Sequence, residues 1–312
     1  MSMREPPLTL AEKLRYGAEA TVFFAFMALF RVIGLGAASA LGGWIGRNIF
    51  SLLPPDKIAR QNLLLAFPEK SDIERDEIRM TMWDNLGRVV AEYPHLEKFR
   101  AIGDDPRITF EFPPGLAVDD LKGKPVLFLS AHLANWEMMP ILSEEVGYHG
   151  AAVVRPPNNP YVAAWVARQR RIHGPDTLIA KHNAARQMLG QVRGDGMLCM
   201  LVDQKLREGI AVPFFGRDAM TTPAPAALAL RFGAKVICAA NRRLPGSRFH
   251  VTVQPPLEFT ASGDDVHDIQ GLTAAFTAQI ERIVRADPGQ WLWIHKRWLT
   301  DRDIALMKQA SA

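Results

Sequence analysis

The segment SAHLANWE holds a histidine and a glutamate five positions apart, His132 and Glu137. An imidazole whose one nitrogen is held by a carboxylate can use its other nitrogen as a general base. Two residues five apart on one helix would point about 140° away from each other. We therefore place His132 in a strand-to-helix turn and Glu137 in the first helical turn, from where the carboxylate is expected to reach back to the imidazole. The alternative is a histidine that only caps the helix.

The chain offers no convincing nucleophile to accompany this pair. It contains no G-x-S-x-G sequence, and both Ser130 and Cys199 lie in apolar runs typical of buried strands. His132 would then have to activate a hydroxyl of the substrate itself, which favours direct acyl transfer without a covalent acyl-enzyme. Cys199 and Cys238 are the two cysteines, and no Cys/His cluster has zinc-ligand spacing. We expect neither a metal nor a cofactor.

Further polar clusters follow other apolar runs. Arg155 and Asn159 belong to the stretch RPPNNP, and the next predicted helix carries three arginines, Arg168, Arg170 and Arg171. An arginine that reaches the site can hold a carbonyl oxyanion or a phosphate, although a solvated basic helix face is the plainer interpretation.

The stretch LVDQK comes at the end of another apolar run and contains Asp203 and Gln204. Asp203 could hold an arginine or the acceptor in position. The alternative is a turn residue at the end of a strand. Phe214 and Phe215 follow in the stretch VPFF. Together with Met138 and Met139 they are our candidates for lining an acyl-chain pocket, and the alternative for the two phenylalanines is core packing.

Short apolar strands alternate with helical segments from about residue 107 onward. This alternation predicts an α/β fold with a mostly parallel central sheet flanked by helices. Predicted strands include 125–131, 150–155, 197–203 and 235–241, and helices at about 269–285 and 289–298 close the chain. We divide the chain into an N-terminal membrane segment (1–50), a helical cap (51–105) and an α/β acyltransferase domain (106–312).

The N-terminal segment is apolar from Ala20 to Phe30 apart from Thr21, and Arg31 interrupts it. A spanning helix needs about 20 apolar residues, so the stretch is borderline. We predict a membrane anchor or interfacial helix, with a buried core helix as the alternative. The net charge of +4 suits anionic lipid headgroups or an acidic carrier protein. No basic run is interleaved with aromatic residues, so nucleic acid is not an expected partner.

Taken together, these features resemble the late (secondary) acyltransferases of lipid A biosynthesis, the lauroyl and myristoyl transferases of Gram-negative bacteria. The resemblance runs from about residue 15 to about 300. It rests on the N-terminal apolar helix and on the stretches QNLLLAFPE, MWDNLGR, HLANWE, RPPNNP, DQK, VPFFGRDAMTT, LALRFGAKV and PGQWLWIHKRW. The order and spacing of these blocks make it specific.

The resemblance implies an enzyme on the cytoplasmic face of the inner membrane. It implies acyl carrier protein as donor and a lipid A precursor as acceptor, without a cofactor. Its catalytic histidine and acid fall on His132 and Glu137, its arginine on Arg170 and its aspartate on Asp203, whereas Lys205 stands where the family pattern leads us to expect Arg or His. Arg155, Asn159, Arg168, Asp203 and Gln204 are then expected to bind substrate. Alternatives are an acyltransferase acting on a lysophospholipid or other lipid hydroxyl, a thioesterase, and a non-catalytic lipid-binding membrane protein.

Overall fold

The computed structural model describes residues 8–147, 150–174, 177–180, 184–194 and 196–298. Within the described residues, all helices of the first hundred residues precede the first strand of the sheet. The α-helices are α1 Leu10–Ile33, α2 Leu35–Asn48, α3 Pro55–Ala66, α4 Asp72–Glu92, α5 Met138–Glu145, α6 Pro160–His173, α7 Ala184–Arg193, α8 Ala224–Phe232 and α9 Asp265–Ala286. The strands are β1 Ile108–Glu111, β2 Val126–Ser130, β3 Gly150–Val153, β4 Thr177–Ile179, β5 Met197–Leu201, β6 Ile210–Phe214, β7 Arg217–Thr221, β8 Lys235–Leu244 and β9 Arg248–Val253.

Seven of these strands form one sheet in the order β1-β9-β8-β2-β5-β3-β4. Within the described residues β8 and β9 pair antiparallel, and the other neighbours in this sheet pair parallel. Strands β6 and β7 form a separate hairpin. The predicted α/β fold with a mostly parallel sheet is therefore confirmed.

Side chains on both faces of the sheet are buried, because alternate residues of a strand point to opposite faces. On one face Leu127 and Leu129 join a core that includes one side of α9, with Leu272, Phe276, Ile280 and Val284 at intervals of four residues. On the other face Val126 and Ile237 pack in a second core with residues of α5.

The first four helices begin and end where local chemistry sets their limits. Thr9 and Ser71 form capping boxes with Glu12 and Glu74 at the starts of α1 and α4. Gly34, with φ +82°, separates α1 from α2. The apolar N-terminal helix that we predicted is thus α1, which is a candidate membrane-associated segment.

Helices α2 and α4 approach each other closely at glycine positions. A Cβ atom at Gly46 would lie 1.9 Å from the carbonyl oxygen of Trp83, and one at Gly87 would lie 1.9 Å from that of Gly42. Only glycine allows the two backbones to come this near, so the contact fixes α4 against the N-terminal layer. The position of α4 matters because it carries side chains that hold the site loop.

The helix that we predicted for 289–298 is wrong. A short 3-10 turn at Pro288–Gln290 is followed by irregular chain, with Trp291 in a β-bridge to Leu133. Here tertiary packing outweighs local preference: Trp291, Trp293 and Trp298 are all buried among aromatic rings that include Phe214. The indole N–H groups of Trp291 and Trp298 donate to Asp203 and to the Phe214 carbonyl.

Candidate functional site

His132 lies just beyond the carboxyl end of β2, next to the end of β5. Ser130 pairs with Leu201 across these parallel strands, so His132 is brought beside Asp203. The Nδ1 atom of His132 lies 2.9 Å from Oδ1 of Asp203, and the His132 backbone N–H donates to Oδ2 at 2.9 Å. Trp291 Nε1 donates to the same Oδ2 at 2.7 Å. One aspartate thereby joins the ends of two strands and the C-terminal segment.

The electrostatics of Asp203 follow from this enclosure. Burial by itself raises the pKa of a carboxyl group, but the charge and hydrogen bonds of His132, together with the Trp291 hydrogen bond, outweigh it and lower the pKa of Asp203 to about 2. The ionised Asp203 can accept a hydrogen bond from Nδ1–H of His132, and in the neutral tautomer that carries its proton there Nε2 is a proton acceptor. The Nε2 atom faces a cavity, with Gln204 Nε2 3.5 Å away.

Glu137 does not contact His132 in the way that we predicted. Within the described residues, the carboxylate on the imidazole belongs to Asp203, whereas Glu137 accepts from Arg170 Nε at 2.9 Å and from Arg170 Nη2 at 2.6 Å. The Tyr93 hydroxyl also donates to Glu137. Glu137 precedes α5 directly and is turned toward α6 and the turn after α4, where the Arg170 guanidinium and the Tyr93 hydroxyl both donate to its oxygens.

Glu137 and Arg170 form a tightly enclosed ion pair. The Glu137 side chain is 4% exposed and that of Arg170 is 16% exposed. Burial raises the pKa of the Glu137 carboxyl, but the charge and hydrogen bonds of Arg170 and the Tyr93 hydrogen bond outweigh it, so its net pKa lies below the usual value. Burial and the neighbouring carboxylate raise the pKa of Tyr93, which stays protonated as a hydrogen-bond donor.

The loop between His132 and Glu137 is held in a strained shape. Ala134 has φ +49°, which is uncommon for a residue with a side chain. Its carbonyl accepts from Asn85 at 2.9 Å, and its N–H donates to the Gln290 carbonyl at 2.9 Å. Such strain persists only where the surroundings fix the backbone, and here α4 and the C-terminal segment do so.

Asn135, the next residue of this loop, is buried and bonded on both sides. Its side-chain amide donates to Glu92 Oε2 at 2.9 Å, and its backbone carbonyl accepts from the side-chain amide of Asn241 at 2.6 Å. Glu92 is fully buried and forms an ion pair with Arg243 of β8. The loop that carries His132 is therefore clamped from α4 and from the sheet.

A cavity of about 1400 Å³ brings most of the predicted site residues together. His132, Glu137, Arg155, Arg170 and Gln204 all line it. Among the three arginines of α6, Arg170 is the one turned to this cavity, while Arg168 and Arg171 are exposed. The predicted contact of Arg168 with substrate stays a prediction.

Asn159 lies at the start of α6, where its side-chain oxygen caps the N–H groups of Tyr161 and Val162. Its amide nitrogen donates to the Tyr16 carbonyl and to Glu19 of α1, at 2.9 and 3.1 Å. Both ends of this side chain are used within the protein. Its predicted role in substrate binding stays a prediction.

The inner wall of the cavity is apolar and lies on the sheet. Phe128, Cys199 and Ala152 stand opposite one another on β2, β5 and β3 and form one row of this wall. Met139 lines the same cavity. Phe214 and Phe215 do not line it; they pack against tryptophans and Phe67 in the hydrophobic core, which was the alternative prediction for these two residues. Burial raises the pKa of the Cys199 thiol to about 12, so it is a poor nucleophile.

Several residues of this site escaped sequence reasoning. Tyr93, Glu92, Arg243 and Trp291 lie between 39 and 159 positions from His132 in the sequence, and we did not predict them as site residues. Trp291 lies in the stretch PGQWLWIHKRW, Glu92 ends α4 and Tyr93 follows it directly. Only the order of strands in the sheet and the packing of α4 on it bring them to the loop.

Comparison with known proteins adds an independent observation. The family model described as bacterial lipid A biosynthesis acyltransferase matches residues 9–300. The chain is 25% identical over 255 residues to a lipid A biosynthesis acyltransferase of Haemophilus influenzae, covering 79% of this chain and 78% of that protein. It is 23% identical over 254 residues to a lipid A biosynthesis lauroyltransferase of Escherichia coli (78% and 79% covered) and 24% identical over 277 residues to a palmitoleoyltransferase of the same pathway and organism (82% and 84%).

Proposed function

Because the chain belongs to the bacterial lipid A biosynthesis acyltransferase family, we propose that it transfers a fatty acyl chain from an acyl thioester to a hydroxyl group of a lipid A precursor. In this proposal the donor is acyl carrier protein and the enzyme works at the cytoplasmic face of the inner membrane. The observation that carries the proposal is the His132–Asp203 pair at the wall of a large cavity whose inner side is apolar.

The reaction needs a base for the acceptor hydroxyl, and His132 supplies it. Asp203 holds Nδ1–H and stabilises the imidazolium that forms when Nε2 takes the proton of the hydroxyl. The resulting alkoxide attacks the thioester carbonyl, the C–S bond breaks, and the leaving thiolate takes the proton back from His132. No protein nucleophile takes part, which agrees with the raised pKa of Cys199.

Arg170 is our candidate for the group that stabilises the tetrahedral oxyanion. It lines the same cavity as His132, and Glu137 and Tyr93 hold its guanidinium in place. A preorganised cation beside a buried reaction centre stabilises developing negative charge without reorganising. Glu137 is then a positioning residue that acts through Arg170, rather than the partner of the base.

The acyl chain is proposed to lie along the apolar wall formed by Phe128, Ala152 and Cys199. This wall continues inward from Ser130 at the His132 end of β2. A relative named for lauroyl transfer and one named for palmitoleoyl transfer match this chain at 23% and 24% identity, so the comparisons leave the acyl chain length open. The mass of the reaction product would give it.

The test is mass spectrometry of lipid A from cells that lack this protein and from cells complemented with variants. We expect one secondary acyl chain to be lost, then restored by the wild type and by His267→Ala, an exposed histidine of α9 that serves as matched control. His132→Ala should fail to restore it, since loss of a general base costs about 10²–10⁴-fold. Near-wild-type acylation by His132→Ala would refute the mechanism.

The donor and the acceptor are tested with purified protein. Acyl carrier protein and coenzyme A thioesters of the same acyl chain are compared, each with a lipid A precursor and with a lysophospholipid. We expect fastest transfer from the carrier protein to the lipid A precursor. Free fatty acid formed at the same rate without any acceptor would identify a thioesterase instead.

A further inference from the structure

Helix α1 exposes a long row of large apolar side chains. Leu14, Val22, Phe26 and Leu29 are between 45% and 67% exposed, and Val32 is 83% exposed. The apolar part of the helix has a mean hydropathy of 1.5 over eighteen residues. A continuous apolar surface of this kind marks a partner or a membrane.

The opposite side of α1 is docked onto the rest of the protein along most of its length. Near its start, Asn159 of α6 donates to the Tyr16 carbonyl at 2.9 Å. In the middle, Phe23 contacts Trp165 with ring centroids 5.4 Å apart. These contacts hold the first two thirds of α1 against α6.

The far end of α1 is docked as well. Arg31 donates to the Pro94 carbonyl at 2.6 Å and forms an ion pair with Glu97, and His95 Nε2 lies 2.9 Å from the Phe30 carbonyl. From Tyr16 to Arg31 the helix covers about 22 Å at 1.5 Å per residue. The contacts at both ends of this length fix the direction of α1 relative to the α/β part of the chain.

This docking is incompatible with a helix that crosses a bilayer. The hydrocarbon core is about 30 Å thick, so an upright α1 would carry its docked neighbours into it. Those neighbours include the Arg31–Glu97 ion pair, the Asn159 cap of α6 and the Pro94 carbonyl. Charged groups and irregular backbone facing lipid at that depth are strongly disfavoured.

We propose that α1 lies along the membrane surface, with its exposed apolar row buried in a single leaflet of a lipid bilayer. The charged residues near the start of α1 lie where they can stay at headgroup level: Lys13 and Arg15 can meet anionic lipids, and Glu12 and Glu19 lie in the same turns, with Glu19 paired to Arg15. A flat helix keeps the docked side, with its ion pair and caps, facing the protein. The bilayer is thus the partner of the apolar row.

The same orientation places the cavity beside the membrane. Tyr16 of α1 lines the cavity together with Arg155 and Asn158, so one wall of the cavity belongs to the helix that we place in the leaflet. Resting on the proposed function, this arrangement lets a lipid acceptor reach His132 sideways from the bilayer. The orientation of α1 itself can be measured whether or not that function holds.

Depth measurements test the orientation directly. Leu14, Val22 and Leu29 are each replaced by a single cysteine in the full chain, with Cys199 and Cys238 changed to Ala, and labelled with an environment-sensitive fluorophore. Ile73, which is exposed on α4, serves as the control position. The proteins are bound to vesicles of phosphatidylethanolamine and phosphatidylglycerol that carry nitroxide quenchers at shallow or deep positions of the acyl chain.

We expect the three α1 labels to be quenched alike by the shallow nitroxide and the Ile73 label to stay in water. If Val22 were deepest and quenched by the deep nitroxide, with Leu14 and Leu29 near opposite surfaces, the helix would span and the proposal would be overturned. Labels that do not change with vesicles would also overturn it. A dimer in solution would then show that a second copy covers the row.

A charge variant gives a second measurement. Val22→Glu/Leu29→Glu should weaken vesicle binding by roughly tenfold or more in co-sedimentation, because both carboxylates would have to enter the leaflet. Ile73→Glu should bind as the wild type does. Circular dichroism of each variant separates loss of binding from loss of fold, and equal binding of the double variant and the wild type would contradict the proposal.

Discussion

Asp203 and Glu137 are two buried carboxylates near the same cavity, and they differ in their partners. Asp203 is paired with a histidine, whose imidazole can accept and release a proton, whereas Glu137 is paired with an arginine, which keeps its charge. The first pair can take part in proton transfer. The second can only hold a fixed charge in place, so two similar carboxylates support different steps of the same reaction.

The two carboxylates also connect different parts of the protein. Asp203 connects the end of β5, the loop after β2 and Trp291, while Glu137 connects that loop to the turn after α4 through Tyr93 and to α6 through Arg170. Loss of the first should be seen mainly in the chemical step. Loss of the second should be seen mainly in stability and in the placement of Arg170.

Asp203→Asn should have the largest effect. The side-chain oxygen can still accept from Trp291 and from the His132 backbone, but the amide NH₂ would face Nδ1 and force the proton onto Nε2. His132 would then hold the wrong tautomer for a base, and we expect kcat to fall about 10⁴-fold, as for the equivalent change in a serine protease triad. Nitrogen-15 NMR of the imidazole would report the tautomer alongside the rate.

The matched control for this change is Asp268→Asn, a buried aspartate near the start of α9. It should lower stability without lowering kcat of the folded protein. A rate for Asp203→Asn within tenfold of the wild type, with the fold intact, would show that Asp203 does not hold the base.

Glu137→Ala should come next, with a loss of about 3–5 kcal/mol in the free energy of unfolding, since it leaves the Arg170 charge buried without its partner. Adding Arg170→Met should restore much of that stability, because no charge remains buried, but it should not restore transfer. Denaturant unfolding and kcat, measured on the same samples, check both statements.

Asp56, which forms a buried ion pair with Arg79, provides the control for this pair. Asp56→Ala should lower stability in the same way while each folded molecule keeps its activity. If the Glu137→Ala/Arg170→Met protein transferred acyl chains as fast as the wild type, Arg170 would have no part in the reaction.

The smallest expected effect is the pH dependence of stability from Asp203. Its pKa is about 2 in the folded protein against an ordinary 3.8, so its contribution to stability is fully present above about pH 5 and is lost as the pH falls through 2. We expect that contribution to be about 2 kcal/mol. The difference in unfolding free energy between the wild type and Asp203→Asn should therefore narrow from pH 6 to pH 2.5, and a difference that grew on acidification would refute the assignment.

Much of the fold follows from local patterns in the sequence. The capping residues Thr9 and Ser71 mark helix starts, Pro68 and Pro94 mark helix ends, and the apolar runs around Leu127 and Leu198 mark buried strands. These signals act over a few residues, so they can be read without tertiary structure. The predicted helix at 289–298 failed because buried tryptophans, packed against distant phenylalanines, decide the path of that segment.

The candidate site likewise depends partly on local sequence patterns and partly on tertiary packing. The sequence by itself determined that His132 follows a buried strand, that Glu137 starts the next helix, that Arg170 lies on a later helix and that Asp203 follows another strand. Only the tertiary structure decided which carboxylate meets which cation, because that depends on β5 lying beside β2 and on α6 bringing Arg170 to Glu137. Strand order and helix packing come from contacts between residues far apart in the chain, and no local spacing encodes them.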